Sequence, residues 1–116
     1  MKLSLIVPCY NEEDNVEAFY EATRQAFAHK EFSYEIIFVN DGSKDLTQKK
    51  LQTIYEKKEE NIVVVNFSRN FGKEAAIYAG FQKSSGDLVT VIDADLQQRP
   101  EIVLDMMEIL DRDESI

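Results

Sequence analysis

Two aspartates, Asp93 and Asp95, stand two positions apart at the end of an apolar run in the stretch VTVIDADLQQ, residues 89–98. Carboxylates placed this closely repel one another unless a cation lies between or beside them. Mg²⁺ or Mn²⁺ suits such a pair, because these hard ions are held by one or two carboxylates together with substrate phosphates and water. The pair therefore predicts a metal site at a diphosphate; the alternative is a pair of helix-capping acids before Pro100.

The elements that must position these acids follow from the hydropathy pattern. Four apolar runs predict strands buried on both faces, as in a parallel sheet: Leu3–Val7, Glu35–Val39, Ile62–Val65 and Leu88–Ile92. Helical spacing of apolar or small residues occurs between the runs, over residues 16–27, 46–55 and 75–80, and Pro100 opens a last helix. This βαβαβαβα order predicts an α/β fold in which right-handed crossovers make all the strands parallel.

Polar segments follow all four predicted strands. They are PCYNEE, NDGS, NFSRNFGK and DADLQ, whereas the opposite ends of the strands are joined by KEFSY and KSSGD. In a parallel sheet every carboxyl end lies on the same edge, and ligands bind outside that edge. We therefore expect the four polar segments to form one site.

Each of these segments contains candidate ligand-binding side chains. The Tyr10 ring is suited to lie against a nucleobase, and Glu12 and Asp41 are candidate acceptors for a base N–H or a ribose hydroxyl. Arg69 and Lys73 are the basic residues of the edge segments, and Lys73 opens a helix, so that its ammonium and the helix N-terminus can face phosphate. The alternatives for these residues are helix caps and solvated charges.

Composition excludes several other classes of protein. The chain has 116 residues, enough for one domain, and 22 acidic against 13 basic residues give a net charge of −9, which disfavours a nucleic-acid partner. Its single cysteine, Cys9, cannot form an internal disulfide, and we expect a small buried residue there. No apolar run is long enough for a membrane-spanning helix.

The four motif stretches together resemble one known family. LSLIVPCYNEEDNV, YEIIFVNDGSKDLT, VVVNFSRNFGKEAAIYAGF and GDLVTVIDADLQQRPE look like family 2 glycosyltransferases of the GT-A fold. The most similar subgroup moves a sugar from a nucleotide sugar to a polyprenyl phosphate, as dolichol-phosphate mannose synthases and bacterial undecaprenyl-phosphate glycosyltransferases do. The resemblance spans nearly the whole chain and implies a Rossmann-like nucleotide-binding half over residues 1–116, with helices on both faces of a parallel sheet.

The resemblance also implies a role for each motif residue. Pro8, Tyr10 and Glu12 would line a nucleoside pocket, Asp41 would hold the base, Asp93 would lie by the sugar diphosphate, Asp95 would ligate Mg²⁺ or Mn²⁺, and Gln97 would sit near the metal or the acceptor. The implied reaction is an inverting attack at the sugar C1 with a nucleoside diphosphate as leaving group. A UDP-sugar is the first expectation for the donor and GDP-mannose the second.

The chain departs from the family pattern in sequence and in length. Gln98, Arg99, Pro100 and Glu101 stand where the subgroup usually has Asp or His followed by Pro-Pro-Glu, and Asn40 stands where many members have aspartate. Family members continue well past this length, so we expect the nucleotide-binding part of a larger enzyme at the cytoplasmic side of a membrane, soluble by itself. It should bind nucleotide and metal without turnover.

Rival α/β classes fit the motif positions poorly. A haloacid-dehalogenase-type phosphatase carries its D-x-D after the first strand, a receiver domain carries its acidic pair there, and a dinucleotide binder needs G-x-G-x-x-G, which four scattered glycines do not form. A nucleotide- and metal-binding module without catalytic activity of its own remains the alternative function. The sequence makes no prediction about oligomeric state.

Overall fold

The computed structural model describes residues 2–28, 30, 32–59, 61–95 and 105. Strands and helices alternate along the chain as β1 (Lys2–Cys9), α1 (Val16–Phe27), β2 (Ser33–Asn40), α2 (Thr47–Lys57), β3 (Ile62–Asn66), α3 (Lys73–Lys83) and β4 (Leu88–Val91). The predicted α/β class is confirmed; of the helix predicted from Pro100, only Asp105 is among the described residues, and it is helical. Among the described residues, no helix combines the length and the apolar character needed to cross a membrane.

The four strands form one parallel sheet in the order β3-β2-β1-β4. The chain first steps outward from β1 to β2 and β3, and then returns to the other side of β1 to form β4. Right-handed crossovers place the helices of the two outward steps on one face and the helix of the return step on the opposite face. The reversal between β1 and β4 is the switch point at which open α/β sheets bind ligands.

Two hydrophobic clusters, one on each face of the sheet, form the core. The larger cluster joins alternate residues of β1 and β2, such as Leu5 and Phe38, to Phe19 of α1 and Leu51 of α2. The smaller one joins the intervening strand residues, including Ile6, to α3. Both inner strands are therefore apolar on both faces, which explains the continuous apolar runs in the sequence.

Helix α3 packs on the sheet through its small residues. Ala76 and Gly80 are buried, and a Cβ added to Gly80 would lie 2.4 Å from Cγ2 of Ile6, so only glycine permits this approach. Tyr78 and Phe81 point away from the sheet and are 64% and 50% exposed. The small-residue face predicted for this helix is confirmed, and it brings the first turn of α3 to the carboxyl edge of the sheet.

A buried glutamate, Glu35 of β2, contacts β1 and the segment before β4 at the amino-terminal ends of the strands, opposite the carboxyl edge. Glu35 is 3% exposed, and its Oε2 accepts hydrogen bonds from Ser4 Oγ at 2.5 Å, Ser85 N at 2.7 Å and Ser85 Oγ at 3.1 Å. The Lys2 ammonium lies 3.6 Å from Oε1. Burial acts to raise the pKa of Glu35, but these hydrogen bonds and the nearby ammonium outweigh it and lower the pKa.

Replacing Glu35 with glutamine is expected to lower the free energy of unfolding by about 2 kcal/mol at pH 7, because an amide cannot accept all of these bonds. The folded-state pKa lies below the unfolded one, so this contribution is present above roughly pH 4.3, the usual glutamate value, and fades as the pH falls through the folded pKa. Urea denaturation of both proteins from pH 7 to pH 3 measures the difference. The exposed Glu17→Gln is the control, and a constant difference across this range would contradict the prediction.

Candidate functional site

The carboxyl ends of the strands meet in register on one edge of the sheet. Cys9 of β1 pairs with Asn40 of β2, which in turn pairs with Asn66 of β3. On the other side of β1, Ile92 continues past the end of β4 and donates its N–H to the Ile6 carbonyl at 3.0 Å. The segments that follow all four strands therefore begin side by side, as the sequence predicted.

Backbone-to-side-chain hydrogen bonds lock the segments after β1 and β2 together. Asn11 N donates to Ser43 Oγ at 2.9 Å, and Lys44 N donates to Asn11 Oδ1 at 2.9 Å. Asn11 has φ +54°, a left-handed conformation that asparagine tolerates better than most residues. The interlock fixes the backbone at Asn11, between Tyr10 and Glu12, the two candidate nucleoside contacts of the first segment.

Asp45 joins the start of α2 to the same interlock. Its Oδ1 accepts a hydrogen bond from Thr47 N at 2.9 Å, and its Oδ2 accepts one from Glu13 N at 3.2 Å. Burial acts to raise the pKa of Asp45, but the hydrogen bonds from Thr47 and Glu13 outweigh it and lower the pKa. Asp45 therefore serves structure, because both of its carboxylate oxygens accept hydrogen bonds from the protein itself.

Asp41 is occupied by the segment that follows β3. It is 4% exposed; Phe71 N donates to its Oδ1 at 2.7 Å, and Gly72 N and Asn70 Nδ2 donate to its Oδ2 at 3.1 and 3.3 Å. Sequence reasoning had proposed Asp41 as an acceptor for a base and had not singled out Asn70. The side-chain types alone carried no signal of this pairing, because the partners lie 29–31 residues apart.

Lys73 reaches across the edge to the first of the two predicted metal-site acids. It is the first residue of α3, and its Nζ lies 3.0 Å from Oδ1 of Asp93, with side chains that are 60% and 39% exposed. An ion pair this exposed contributes little to stability, about 0–1 kcal/mol. Its significance is chemical, because it places a cation, a helix N-terminus and a carboxylate at one point.

A cavity of 160 Å³ lies where the four segments converge. It is lined by Pro8, Cys9, Tyr10, Glu12, Asp41, Lys73 and Asp93. Six of these seven are residues that the sequence had assigned to a nucleotide site, and they come from or follow all four strands. Ligand sites typically measure roughly 300–1,000 Å³, so the described residues form one part of such a site. A wider depression of 670 Å³ lies along the outer surface of α2, away from these residues.

Three predicted site residues do not line the described part of this cavity. The Arg69 guanidinium lies 4.4 Å from the centre of the Phe71 ring, a cation–π contact on an exposed loop. Asp95 is exposed at the rim of the edge, two residues beyond Asp93. Gln97 lies outside the described residues.

Cys9 forms an inert wall of the cavity. It is 1% exposed, and its thiol donates to the Val7 carbonyl at 3.5 Å. Burial raises the pKa of the Cys9 thiol, and the negative charge of Glu12 acts in the same direction. The thiol therefore stays protonated at neutral pH and unreactive, in agreement with the small buried residue predicted from sequence.

The donor set at the edge fits a hard divalent cation shared with a phosphate ligand. Asp93 and Asp95 offer carboxylate oxygens, and the Lys73 ammonium at 3.0 Å from Asp93 shows that this carboxylate accepts a cation. Across residues 2–95, with their gaps at 29, 31 and 60, no group of three or more His, Cys, Asp or Glu side chains could hold a metal. A cation here would need further oxygens from phosphate and water, which is how Mg²⁺ is usually bound.

Comparison with known proteins gives one family. The family model "Glycosyl transferase family 2" matches residues 4–116. A bactoprenol glucosyl transferase of Shigella phage SfV is 42% identical over 108 residues, which are 93% of this chain and 35% of that protein. The chain spans about a third of the length of the curated relatives it matches.

Solved structures share the same fold. S. aureus TarS (residues 1–349), solved in complex with UDP, superposes with a TM-score of 0.76 at 25% identity, over 97% of this chain and 32% of that one. A mannosyltransferase of Pyrobaculum calidifontis, solved with GDP-Man and Mn²⁺, superposes with a TM-score of 0.79 at 21% identity, over 93% of this chain and 32% of that one. At 21% identity, the similarity to the mannosyltransferase concerns the fold alone.

Proposed function

The chain belongs to glycosyl transferase family 2, and from this premise we propose that it binds a nucleoside-diphosphate sugar at the carboxyl edge of its sheet. The observation that carries the proposal is the cavity in which Pro8, Tyr10, Glu12, Lys73 and Asp93 converge. In the whole protein, we propose, the bound sugar is transferred to a polyprenyl phosphate. The supporting relative is the phage enzyme that is named for bactoprenol, a polyprenol.

The nucleoside would occupy the part of the cavity next to β1. Tyr10 is 43% exposed, so its ring has an open face for a nucleobase. Glu12 lies beside it, and Asn15 Nδ2 donates to one of its carboxylate oxygens, Oε2, at 2.7 Å. That contact orients the Glu12 side chain so that the carboxylate can accept a hydrogen bond from a base or a ribose.

The diphosphate would lie between Lys73 and the acids that follow β4. The Lys73 ammonium and the N–H groups of the first turn of α3 are suited to phosphate oxygens, because both present positive charge. Asp93 and Asp95 would hold a divalent cation, which would neutralise the charge on the leaving diphosphate. Arg69 lies outside the described cavity, and we propose it as a second phosphate contact.

The acceptor chemistry explains why the edge needs no strong base. A polyprenyl phosphate is already an anion, so its oxygen can attack the sugar C1 without losing a proton to the protein. The described part of the edge accordingly contains acids, Lys73 and Arg69 but no Ser-His-Asp or Cys-His arrangement. Positioning of the two reactants and charge stabilisation at the leaving group would then provide most of the catalysis.

A second candidate function is nucleotide and metal binding without turnover by these residues alone. The size of the cavity favours it, because 160 Å³ holds only part of a nucleotide sugar. The two candidates share the same nucleotide site and differ in whether sugar transfer follows. A multiple-turnover transfer assay on a longer chain that includes the rest of the glycosyltransferase domain separates them: transfer would exclude the second candidate, and metal-dependent nucleotide binding without transfer would favour it.

Calorimetric titration of UDP and GDP into the chain tests the nucleotide site directly. We expect UDP to bind more tightly than GDP, and Mn²⁺ to strengthen UDP binding by on the order of tenfold, because the cation offsets repulsion between Asp93, Asp95 and the diphosphate. Tighter binding of GDP would reassign the donor class. No binding of either nucleotide to a folded chain would contradict the proposal.

A further inference from the structure

The interlock between residues 11–13, after β1, and residues 43–47, after β2, consists of backbone-to-side-chain hydrogen bonds in both directions. Three consecutive N–H groups of the first segment donate to side chains of the second: Asn11 N to Ser43 Oγ at 2.9 Å, Glu12 N to Thr47 Oγ1 at 2.9 Å and Glu13 N to Asp45 Oδ2 at 3.2 Å. In return, Lys44 N donates to Asn11 Oδ1 at 2.9 Å and Leu46 N to Glu13 Oε2 at 3.3 Å. These bonds satisfy backbone groups that lie between a strand and a helix, where no regular structure pairs them.

Glu12, which lines the cavity, is held on both sides of its backbone. Its N–H donates to Thr47, and its carbonyl accepts hydrogen bonds from Asn15 N at 2.9 Å and Val16 N at 3.1 Å. Its side chain is bound as well, because Asn15 Nδ2 donates to Oε2 at 2.7 Å. The position of the Glu12 carboxylate therefore depends on contacts of its backbone, and the contact at the N–H is supplied by α2.

The Thr47 hydroxyl is oriented so that it accepts this hydrogen bond. Thr47 is the first residue of α2 and is fully buried, and its Oγ1 donates to Asp45 Oδ1 at 2.5 Å. A hydroxyl group has one proton, so a hydroxyl that donates to a carboxylate presents only lone pairs to its other neighbours. Asp45 thus orients the Thr47 oxygen towards the Glu12 N–H. Thr47 itself does not line the described cavity.

We propose that residues 43–47 position the nucleoside end of the ligand, and that Thr47 does so through Glu12: it holds the Glu12 backbone so that the carboxylate reaches a base or ribose group. The inference rests on the nucleotide site proposed above and adds positioning residues to it. Residues 43–47 also follow closely on Asp41, the predicted acceptor for the base. The interlock therefore sets the separation of Tyr10 and Glu12 from Asp41, all of which line the cavity.

The diphosphate end of the ligand supplies the comparison, because Lys73 and Asp93 are joined by an ion pair of their own. UDP and inorganic pyrophosphate, both with Mn²⁺, are titrated by NMR into the 116-residue chain as wild type, Thr47→Val and Thr47→Ser. Valine keeps the shape of threonine and leaves the Glu12 N–H without its acceptor, so we expect the Kd of UDP to rise about five- to tenfold. Serine keeps the hydroxyl, and its Kd for UDP should stay within about twofold of wild type. The Kd of pyrophosphate should stay within about twofold in both variants, because the two ends of the site are held independently.

Three results of these titrations would overturn the inference. They are an unchanged Kd of UDP in Thr47→Val, an equal loss for pyrophosphate, and an equal loss in Thr47→Ser, which would mean that the hydroxyl does not matter. Thr53→Val is the matched control: Thr53 lies on the exposed face of the same helix, and its hydroxyl donates to Lys49 O at 3.1 Å. We expect this control to leave both Kd values unchanged.

A second variant of the interlock keeps the test decisive if Thr47→Val does not fold. Ser43→Ala removes the acceptor of the Asn11 N–H at a partly exposed site. It should raise the Kd of UDP about threefold and leave the Kd of pyrophosphate unchanged. An unchanged Kd of UDP in Ser43→Ala would then overturn the inference.

A double-mutant cycle tests whether Thr47 acts through Glu12. Glu12→Ala should weaken UDP binding by itself, and adding Thr47→Val to it should cause little further loss, because the carboxylate that Thr47 positions is gone. Additive losses would overturn the inference while leaving the nucleotide site intact. If wild type bound neither UDP nor pyrophosphate, the proposed function itself would fail, which is a distinguishable result.

Discussion

Replacing Asp95 with asparagine is expected to remove the Mn²⁺ dependence of UDP binding. If Asp95 ligates the cation, the variant loses a charged oxygen ligand, and the affinity for Mn²⁺ in the presence of UDP should fall on the order of 100-fold or more. Asp95 is exposed, so its substitution should leave the free energy of unfolding nearly unchanged. Calorimetry with and without Mn²⁺ measures the effect on binding, and urea denaturation checks the fold.

The matched control for this variant is Asp14→Asn. Asp14 is also exposed and also lies in a segment at the carboxyl edge, so the control removes the same unit of charge from the same side of the molecule. We expect Asp14→Asn to change the Mn²⁺-dependent affinity by less than about twofold, as long-range effects of exposed charges are screened by salt. Equal losses in the two variants would mean that general charge, and not ligation, produces the metal dependence.

Replacing Gly42 with alanine is expected to cause the largest loss of stability among the conservative changes considered. The new Cβ would lie 2.2 Å from the Arg69 carbonyl carbon and 2.3 Å from Asn70 N, both of which are backbone atoms that cannot rotate away. The residue also has φ +68°, which side chains other than glycine rarely adopt. Together these costs should lower the free energy of unfolding by about 3–5 kcal/mol, a large part of a typical domain's total.

Gly72→Ala is the control that separates the two costs. Gly72 has φ +104°, but no heavy atom lies within 4 Å of its added Cβ, so alanine there meets strain without overlap. Its expected cost is about 1–3 kcal/mol, below that of Gly42→Ala. Urea denaturation of both variants measures the two losses of stability. Equal destabilisation would show that the close approach of Gly42 to residues 69 and 70 adds nothing to the cost of Gly42→Ala.

Much of the fold was predictable because each strand is apolar on both faces. The two inner strands face α1 and α2 on one side and α3 on the other, so their sequences are apolar without interruption and can be recognised locally. Parallel pairing then follows from the helix between each pair of strands, and it brings all the carboxyl ends to one edge. This is why Pro8, Tyr10, Glu12, Lys73 and Asp93 could be grouped before any contact was known.

The order of the strands and the partners of individual side chains were not predictable in this way. Nothing local indicates that β4 returns to pair with β1, or that Glu35, which opens an apolar run in the sequence, is buried against Ser4 and Ser85 on the opposite edge. Arg69 was grouped with Lys73 by its charge, yet it stacks on Phe71 outside the described cavity. The contact partners of β4 and Glu35 are distant in sequence. The contact of Arg69 depends on the orientation of its side chain.

The sequence by itself determined which residues stand at the carboxyl edge, because the uninterrupted apolar runs can be recognised locally and right-handed crossovers are general to parallel strands. Only the tertiary structure decided what those residues do for one another. Asp41 and its donors are separated by 29–31 residues, and Lys73 and Asp93 by 20. Hydrogen bonds and ion pairs need atoms within about 3 Å, and such distances between remote residues exist only after the sheet and its helices have packed.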